Sequence, residues 1–261
     1  MTANCILERV TETRSTNDDL MSRWRAGELI DPVARIAYKQ TAGKGRAGRA
    51  WLANPEDSLC FSLAFPFTRS PAQLSGLSLL VGLAVIEGIA QACNLSESEL
   101  QQAGLRLKWP NDVVLNNAKL AGILIEGGQA KAGDPTWMII GVGINLRNAE
   151  AIEVNLNTGL KVGSLAQLTK SLPDPEYLWL KLIASLEHNL AAFDLHGFET
   201  CKERWMGWDA YRDQAVCISG AGQEPIHGIA KGVDGAGALL LQQENKIIAI
   251  HAGDVSLRIQ S

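Results

Sequence analysis

The sequence predicts an α+β fold, with a mixed, largely antiparallel sheet flanked by helices and a small SH3-like β-barrel after it. Three observations lead there. Up to about residue 205, β-rich runs such as 33–38 and 58–65 are interspersed with stretches of helical spacing. Two β-like runs flank Asn116-Asn117, a pair suited to a hairpin, so at least part of the sheet is antiparallel. From about Asp213 the texture changes to five short strand-like runs separated by glycine-rich turns, the spacing of a small all-β unit. The expected division is a main, ligand-binding domain over 1–212 and a small β-barrel domain over 213–261.

Near the start, Ser15 or Thr16 can cap a helix, with Asp18 or Asp19 three residues on. Leu20, Met21 and Trp24 share one face of it and Gly27 ends it. The run VARIAY (33–38) leads into a glycine-rich loop, and SLCFSLAF (58–65) is a second strand. Ser70-Pro71 opens a long helix to about Cys93, with proline at the favoured first helical position. This stretch holds the longest apolar run of the chain, interrupted by Gly76, Gly82, Gly88 and Glu87. It is expected as a buried core helix and not as a membrane span. LRLKWPNDVVLNNAKLAGILIEGG then carries the hairpin, and WMIIGVGINL (137–146) is an apolar strand. Gly141 and Gly143 within it point to a close approach of something to its backbone. Residues 174–205 return to helical spacing, and QAVCISG, IHGIAKGV, GALLLQ, KIIAIHAG and DVSLRI close the chain as short strands.

Composition narrows the function by exclusion. With 46% hydrophobic and 20% charged residues, the 261-residue chain reads as an ordinary soluble globular protein and not a disordered one. A net charge of −4 gives no general reason to expect a nucleic-acid binder. Five widely spaced cysteines without a C-x-x-C pair, and four scattered histidines, point away from a zinc site or a disulfide framework. They fit a reducing compartment. The N-terminus has neither an apolar leader nor Arg-rich transit character, so a cytoplasmic protein is expected.

The stretch Tyr38–Trp51, YKQTAGKGRAGRAW, packs three glycines, four cationic side chains and one tryptophan together. Gly43 to Gly48 match G-x-G-x-x-G, the dinucleotide fingerprint, which requires a following helix and an acidic residue about twenty positions on. Neither is present: RAWLANPEDS carries Pro55 and no apolar period, and SLAFPFTRS has no carboxylate. A Walker loop fails as well, because no Ser or Thr follows a Gly-Lys pair in frame. What remains is a flexible loop whose glycines let the backbone approach a ligand, while Lys44, Arg46 and Arg49 can meet phosphate oxygens. Trp51 could cover a flat base by stacking; the plainer reading is a solvated basic loop. A second cluster, Lys108-Trp109-Pro110-Asn111-Asp112, offers a cation, an amide and a carboxylate from one proline turn, and Lys119 stands on the returning strand of the hairpin.

Taken in order, these motifs resemble those of the biotin–protein ligases. QTAGKGRAGRAW looks like that family's biotin/adenylate loop, and KWPND and KLAGILIE look like its second and third motifs. STND resembles its ligand-contacting helix start, GVGINL its following strand, and GALLLQ…AGDVSLRI its C-terminal barrel signature. The resemblance covers nearly the whole chain. It implies a two-step reaction in which biotin and MgATP give biotinyl-AMP and pyrophosphate, and the acyl group then passes to a lysine of a biotin carboxyl carrier domain of acetyl-CoA carboxylase. Carried over by motif position, Ser15, Thr16, Asn17 and Gln40 hold the biotin head group; Lys44, Gly45 and Arg46 contact biotin and phosphate. Lys119 reaches the carboxyl or its acyl-phosphate, and Arg49, Trp51, Asn111 and Asn145 fall on the nucleotide side with Lys44 and Arg46. Asp112 is expected to act in the second step on the incoming lysine, which places it with Arg46 and Lys119 as the catalytic set.

The chemistry fits these residue types. A carboxylate attacking an α-phosphate needs cations against like-charge repulsion, and a loop that closes limits hydrolysis of the mixed anhydride. Two departures stand out. Position 44 is Lys where the family more often has Arg, which keeps the charge but loses the bidentate fork. The ligase motifs also start almost at Met1, leaving no room for the helix-turn-helix domain of the repressor-type members, so no DNA binding is expected. A sheet edge could pair two subunits into a homodimer or stay capped. The nearest rivals are a lipoate–protein ligase, which shares the chemistry, and a non-catalytic vitamin- or nucleotide-sensing module; GKGRAGRAW and KWPND match the biotin enzymes better.

Overall fold

A computed structural model describes residues 5–150, 161–220, 223–253 and 255–259. The main sheet has seven strands: β1 (Ile6–Thr13), β2 (Val33–Gln40), β3 (Ser58–Phe67), β4 (Leu105–Lys108), β5 (Asp112–Leu115), β6 (Ala118–Gly128) and β7 (Thr136–Asn145), in the order β1-β2-β3-β7-β6-β5-β4. Among the described residues, only β1 and β2 of this sheet's strands run parallel; every other neighbouring pair is antiparallel. The sheet is therefore mixed and largely antiparallel, as expected.

Helices cover both faces. On one face lies α1 (Thr16–Arg25), capped by Ser15, whose hydroxyl accepts from the Asp18 amide, with Asp18 and Asp19 in the first turn. Leu20 and Met21 pack it onto Val33, Ala64, Trp137 and Ile139. On the other face lie α2 (Leu77–Cys93) and α4 (Pro175–His196), with the short α3 (Glu97–Gln102) and α5 (Lys202–Met206) alongside. The apolar run is indeed a core helix: residues from Leu77 to Ile89 are almost all buried, and no helix among the described residues is long and apolar enough to cross a membrane. Gly88 sits where α4 crosses it, and a methyl there would come within 2.8 Å of the Leu182 backbone.

Three elements differ from the expectation. The helix expected from Ser70 is two pieces, a 3-10 turn at Pro71–Leu74 and then α2, because Gly76 adopts φ +83° with Phe198 packed against it. The helical stretch 174–205 likewise breaks at Gly197, φ +73°, whose amide closes α4 onto Phe193. Strand β1 was not foreseen: as an edge strand it exposes Ile6 and Leu7 and fills its middle with Glu8 and Arg9, so it lacks a clean apolar alternation. The expected hairpin is present, with Asn116 and Asn117 both at positive φ between β5 and β6, the geometry of a type I′ turn.

The five C-terminal runs form β8 (Ala215–Gly220), β9 (Gln223–Val233), β10 (Leu239–Gln243), β11 (Lys246–Ile250) and β12 (Val255–Ile259). They pair antiparallel in the order β11-β10-β9-β8-β12, with β11 and β12 as the two edges among the described residues. Asp254 of the C-terminal motif lies outside the described residues. This sheet shares the main hydrophobic core through Val216, Ala230, Val233 and Leu239. The segment leading into it caps the far edge of the main sheet, where Leu107 exchanges backbone hydrogen bonds with Trp208 and Ala210 at 2.8 Å each.

Candidate active site

The glycine-rich loop is a tight miniature hairpin. The Gly45 amide donates to the Arg49 carbonyl at 2.7 Å, and the Trp51 amide to the Gly43 carbonyl at 2.9 Å. The chain turns at Arg46–Gly48, with Ala47 and Gly48 at positive φ. This hairpin leans over the N-terminus of α1, the end of β2 and the middle of β3, β6 and β7. Between them lies a cavity whose walls include Ser15, Thr16, Asn17 and Gln40 at one end and Lys44, Arg46 and Lys119 at the other. Gly45, Trp51 and Asn111 also line it, so most of the expected site residues converge on one place.

The polar end is closely wired. Gln40 Oε1 accepts from the Thr16 amide at 2.8 Å, Ser62 Oγ donates to Asn17 Oδ1 at 2.6 Å, and Asn17 Nδ2 donates to Glu126 at 2.9 Å. Thr16, Asn17 and Ser62 are nearly fully buried, so each polar atom needs a partner there. The cationic end is held from several sides. Arg46 Nη1 donates to Asn111 Oδ1 at 2.9 Å, and its Nη2 donates to the Gly253 carbonyl of the C-terminal unit. Lys119 pairs with Asp112 at 2.7 Å, and its backbone carbonyl accepts from buried Asn145 at 3.1 Å. Lys44 pairs with Asp18 at 2.6 Å at the start of α1.

Asp112, Arg49 and Asn145 do not line the cavity. Asp112 and Asn145 each contact Lys119, which does, whereas Arg49 is exposed and its charge acts on Lys108. Lys108 faces Asp112 across the β4–β5 turn. Burial holds its ammonium below the usual lysine range; Asp112 opposes that shift, while Lys119, Arg258 and Arg49 add to it.

Trp51 takes an unexpected place. Its ring lies on the backbone of β6 and β7, where a methyl on Gly143 would overlap the indole and one on Gly122 would sit 2.9 Å from it. Lys119 Nζ stands 5.5 Å from the ring centroid. Gly143 is thus bare because an aromatic ring covers it, and Gly141 because the Asn17 amide does. The volume left measures about 50 Å³, little more than one water occupies and far below the ~300–1,000 Å³ of ligand pockets. A vitamin-sized ligand needs more room than this arrangement of the ring leaves. Cys60 borders the same space; burial pushes its thiol up to about 12, so it stays protonated and unreactive.

Sequence reasoning missed Ser62, Cys60, Glu126, Ile123 and Leu124 around this cavity. Ser62, a hydroxyl in the middle of a mostly apolar strand, was the available signal.

Comparison with known proteins gives this site its class. Residues 9–145, over half the chain, match the model of the Biotin/lipoate A/B protein ligase family, and the chain belongs to that family. Residues 213–258 match the model of the biotin protein ligase C terminal domain. Among curated proteins, the chain is 36% identical over 244 residues to the bifunctional ligase/repressor BirA of Salmonella typhimurium, covering 94% of this chain and 72% of that one. It is 32% identical over 257 residues to the biotin–[acetyl-CoA-carboxylase] ligase of Mycobacterium tuberculosis, covering 95% and 88%. A solved structure of the Aquifex aeolicus biotin protein ligase in complex with biotin and ATP superposes with a TM-score of 0.77 at 27% identity, covering 98% of this chain and 99% of that one.

Proposed function

We propose that the chain is a biotin–protein ligase that activates biotin with ATP to biotinyl-5′-AMP and transfers it to one lysine of a biotin carboxyl carrier domain of acetyl-CoA carboxylase. The observation that carries this reading is the two-ended cavity. A buried hydrogen-bonding end, Thr16, Asn17 and Gln40, suits a uncharged polar ring, and a cationic end, Lys44, Arg46 and Lys119, suits a carboxylate beside a triphosphate. Relatives named as biotin ligases, and a similar structure holding biotin and ATP, support the same assignment.

In the first step the biotin carboxylate attacks the α-phosphate and pyrophosphate leaves. Arg46 and Lys119 offset the charge that gathers on both groups, each charge-assisted hydrogen bond contributing roughly 1.5–3 kcal/mol. Magnesium would serve as the counter-ion of the triphosphate, with phosphate oxygens and water supplying most of its ligands. Among the described residues no three carboxylate, histidine or cysteine groups converge to hold it. Trp51, displaced from Gly122 and Gly143, then covers the nucleotide, with Arg49 and Asn111 on the same side. In the second step Asp112 orients or deprotonates the acceptor amine, which attacks the acyl carbon and expels AMP.

The same reading takes 1–212 as the catalytic domain and 213–261 as a small domain that steadies the loop through the Arg46–Gly253 contact. Incubation of a biotin carboxyl carrier domain with the protein, biotin and MgATP should add one biotin to one lysine, read by intact mass. Labelling by lipoate under the same conditions, and not by biotin, would contradict the assignment.

A further inference from the structure

Glu126 does not border the cavity, yet it ends a chain of hydrogen bonds that reaches it. A carboxylate only accepts, so it faces the Asn17 amide nitrogen, at 2.9 Å, and turns Asn17 Oδ1 toward Ser62. An amide oxygen also only accepts, so the single Ser62 proton is committed to Asn17, at 2.6 Å. Thr16 Oγ1 and Ser62 Oγ lie 2.7 Å apart, and with the Ser62 proton committed to Asn17 the Thr16 hydroxyl is the donor of that short contact; Gln40 Oε1, at 3.1 Å, is its second acceptor in the protein. Its one proton is then turned into the protein, and its hydroxyl can offer the cavity only a lone pair. Gln40 is fixed the other way: its Oε1 takes the Thr16 amide, leaving Nε2 as the group it can present.

The two side chains thus offer an acceptor and a donor within one end of the cavity. That pair complements a cyclic urea, in which N–H stands next to C=O, and it has no counterpart in a dithiolane ring. We propose that Glu126 is a specificity-setting positioning residue that fixes the direction of the protons along Asn17, Ser62 and Thr16, so that Thr16 accepts from a ureido N–H. The proposal rests on the reading of this cavity as the biotin site. Without the carboxylate, Asn17 can turn over and Ser62 can donate to Thr16; the Thr16 proton then keeps only its longer contact to Gln40 Oε1, at 3.1 Å, and a ligand acceptor can compete for it.

The test uses Glu126→Gln, which keeps size and hydrogen-bonding capacity but accepts either orientation of Asn17. The probes are biotin and the two cyclic carbamates in which one ring N–H is replaced by oxygen, with dissociation constants from calorimetry. Wild type should reject the carbamate whose oxygen meets Thr16 by tenfold or more. The variant should narrow that preference at least fivefold, with KM for ATP within twofold of wild type. Ser62→Ala, which cuts the chain in the middle, should narrow it likewise. Unchanged discrimination in both variants would overturn the proposal while leaving the biotin site intact. Failure of wild type to bind biotin would overturn the underlying reading instead.

Discussion

Replacing Asp112 by Asn separates the two half-reactions. Asp112 is 17% exposed and pairs with Lys119 at 2.7 Å. Removing its charge costs Lys119 that partner, but the lysine keeps its backbone anchor from Asn145. Adenylation should therefore fall by less than about tenfold, or ~1.4 kcal/mol. Transfer loses the carboxylate that receives or orients the acceptor amine, and general-base removal typically costs ~10²–10⁴. Lys108 cannot substitute as a cationic anchor, because Asp112 is what opposes the depression of its ammonium; its remaining neighbours Lys119, Arg258 and Arg49 all depress it further. The assay is single-turnover: pyrophosphate release for the first step, and biotin delivery from added biotinyl-5′-AMP to the carrier domain for the second. The transfer rate should drop at least about tenfold more than the adenylation rate, given those ranges. Equal losses in the two steps would refute a role for Asp112 in transfer.

Three further outcomes are expected. Burial pushes the Asp209 carboxyl up from 3.8 to about 6, so the folded state holds this proton more tightly than the unfolded state. Stability from this group is lost as pH rises from 3.8 through about 6, a penalty of roughly 3 kcal/mol above that window. Asp209→Asn should raise Tm at pH 7.5, partly offset by one unpartnered amide group, and give no gain at pH 4; a gain of equal size at both would be inconsistent. Binding of biotin and ATP should change tryptophan emission as the Trp51 ring leaves its berth, and Trp51→Phe should remove most of that change although six other tryptophans remain, of the seven present. An unchanged signal in the variant would place the motion elsewhere. Lys44→Arg introduces a bidentate fork at an exposed position and should slow release of biotinyl-5′-AMP severalfold in a filter or rapid-dilution assay, with Tm unchanged; equal release rates would discount the fork.

Much of the site was legible because its chemistry is local in sequence. The Ser15 cap and the Asn-Asn turn obey short-range rules and the structure realises them, whereas the glycine loop, expected as a flexible loop, is a tight miniature hairpin. The long helix was legible in kind but not in extent. Gly76 and Gly197 end helices because Phe198 and the Phe193 carbonyl meet them, and those contacts depend on the tertiary fold. The same limit hid Glu126, which lies 109 residues from the Asn17 it orients, and the berth of Trp51, whose floor is two glycines from different strands. Gly141 and Gly143 did signal a close approach, but not that the visitors would be Asn17 and Trp51 from the protein itself.

The central claim is that this cavity activates biotin. ATP–pyrophosphate exchange with the purified protein, run with biotin, with lipoate and with neither, tests it most directly. Exchange that depends on biotin and is lost in Lys119→Met is the predicted result. Exchange with lipoate alone, or none despite measurable biotin binding, would contradict it.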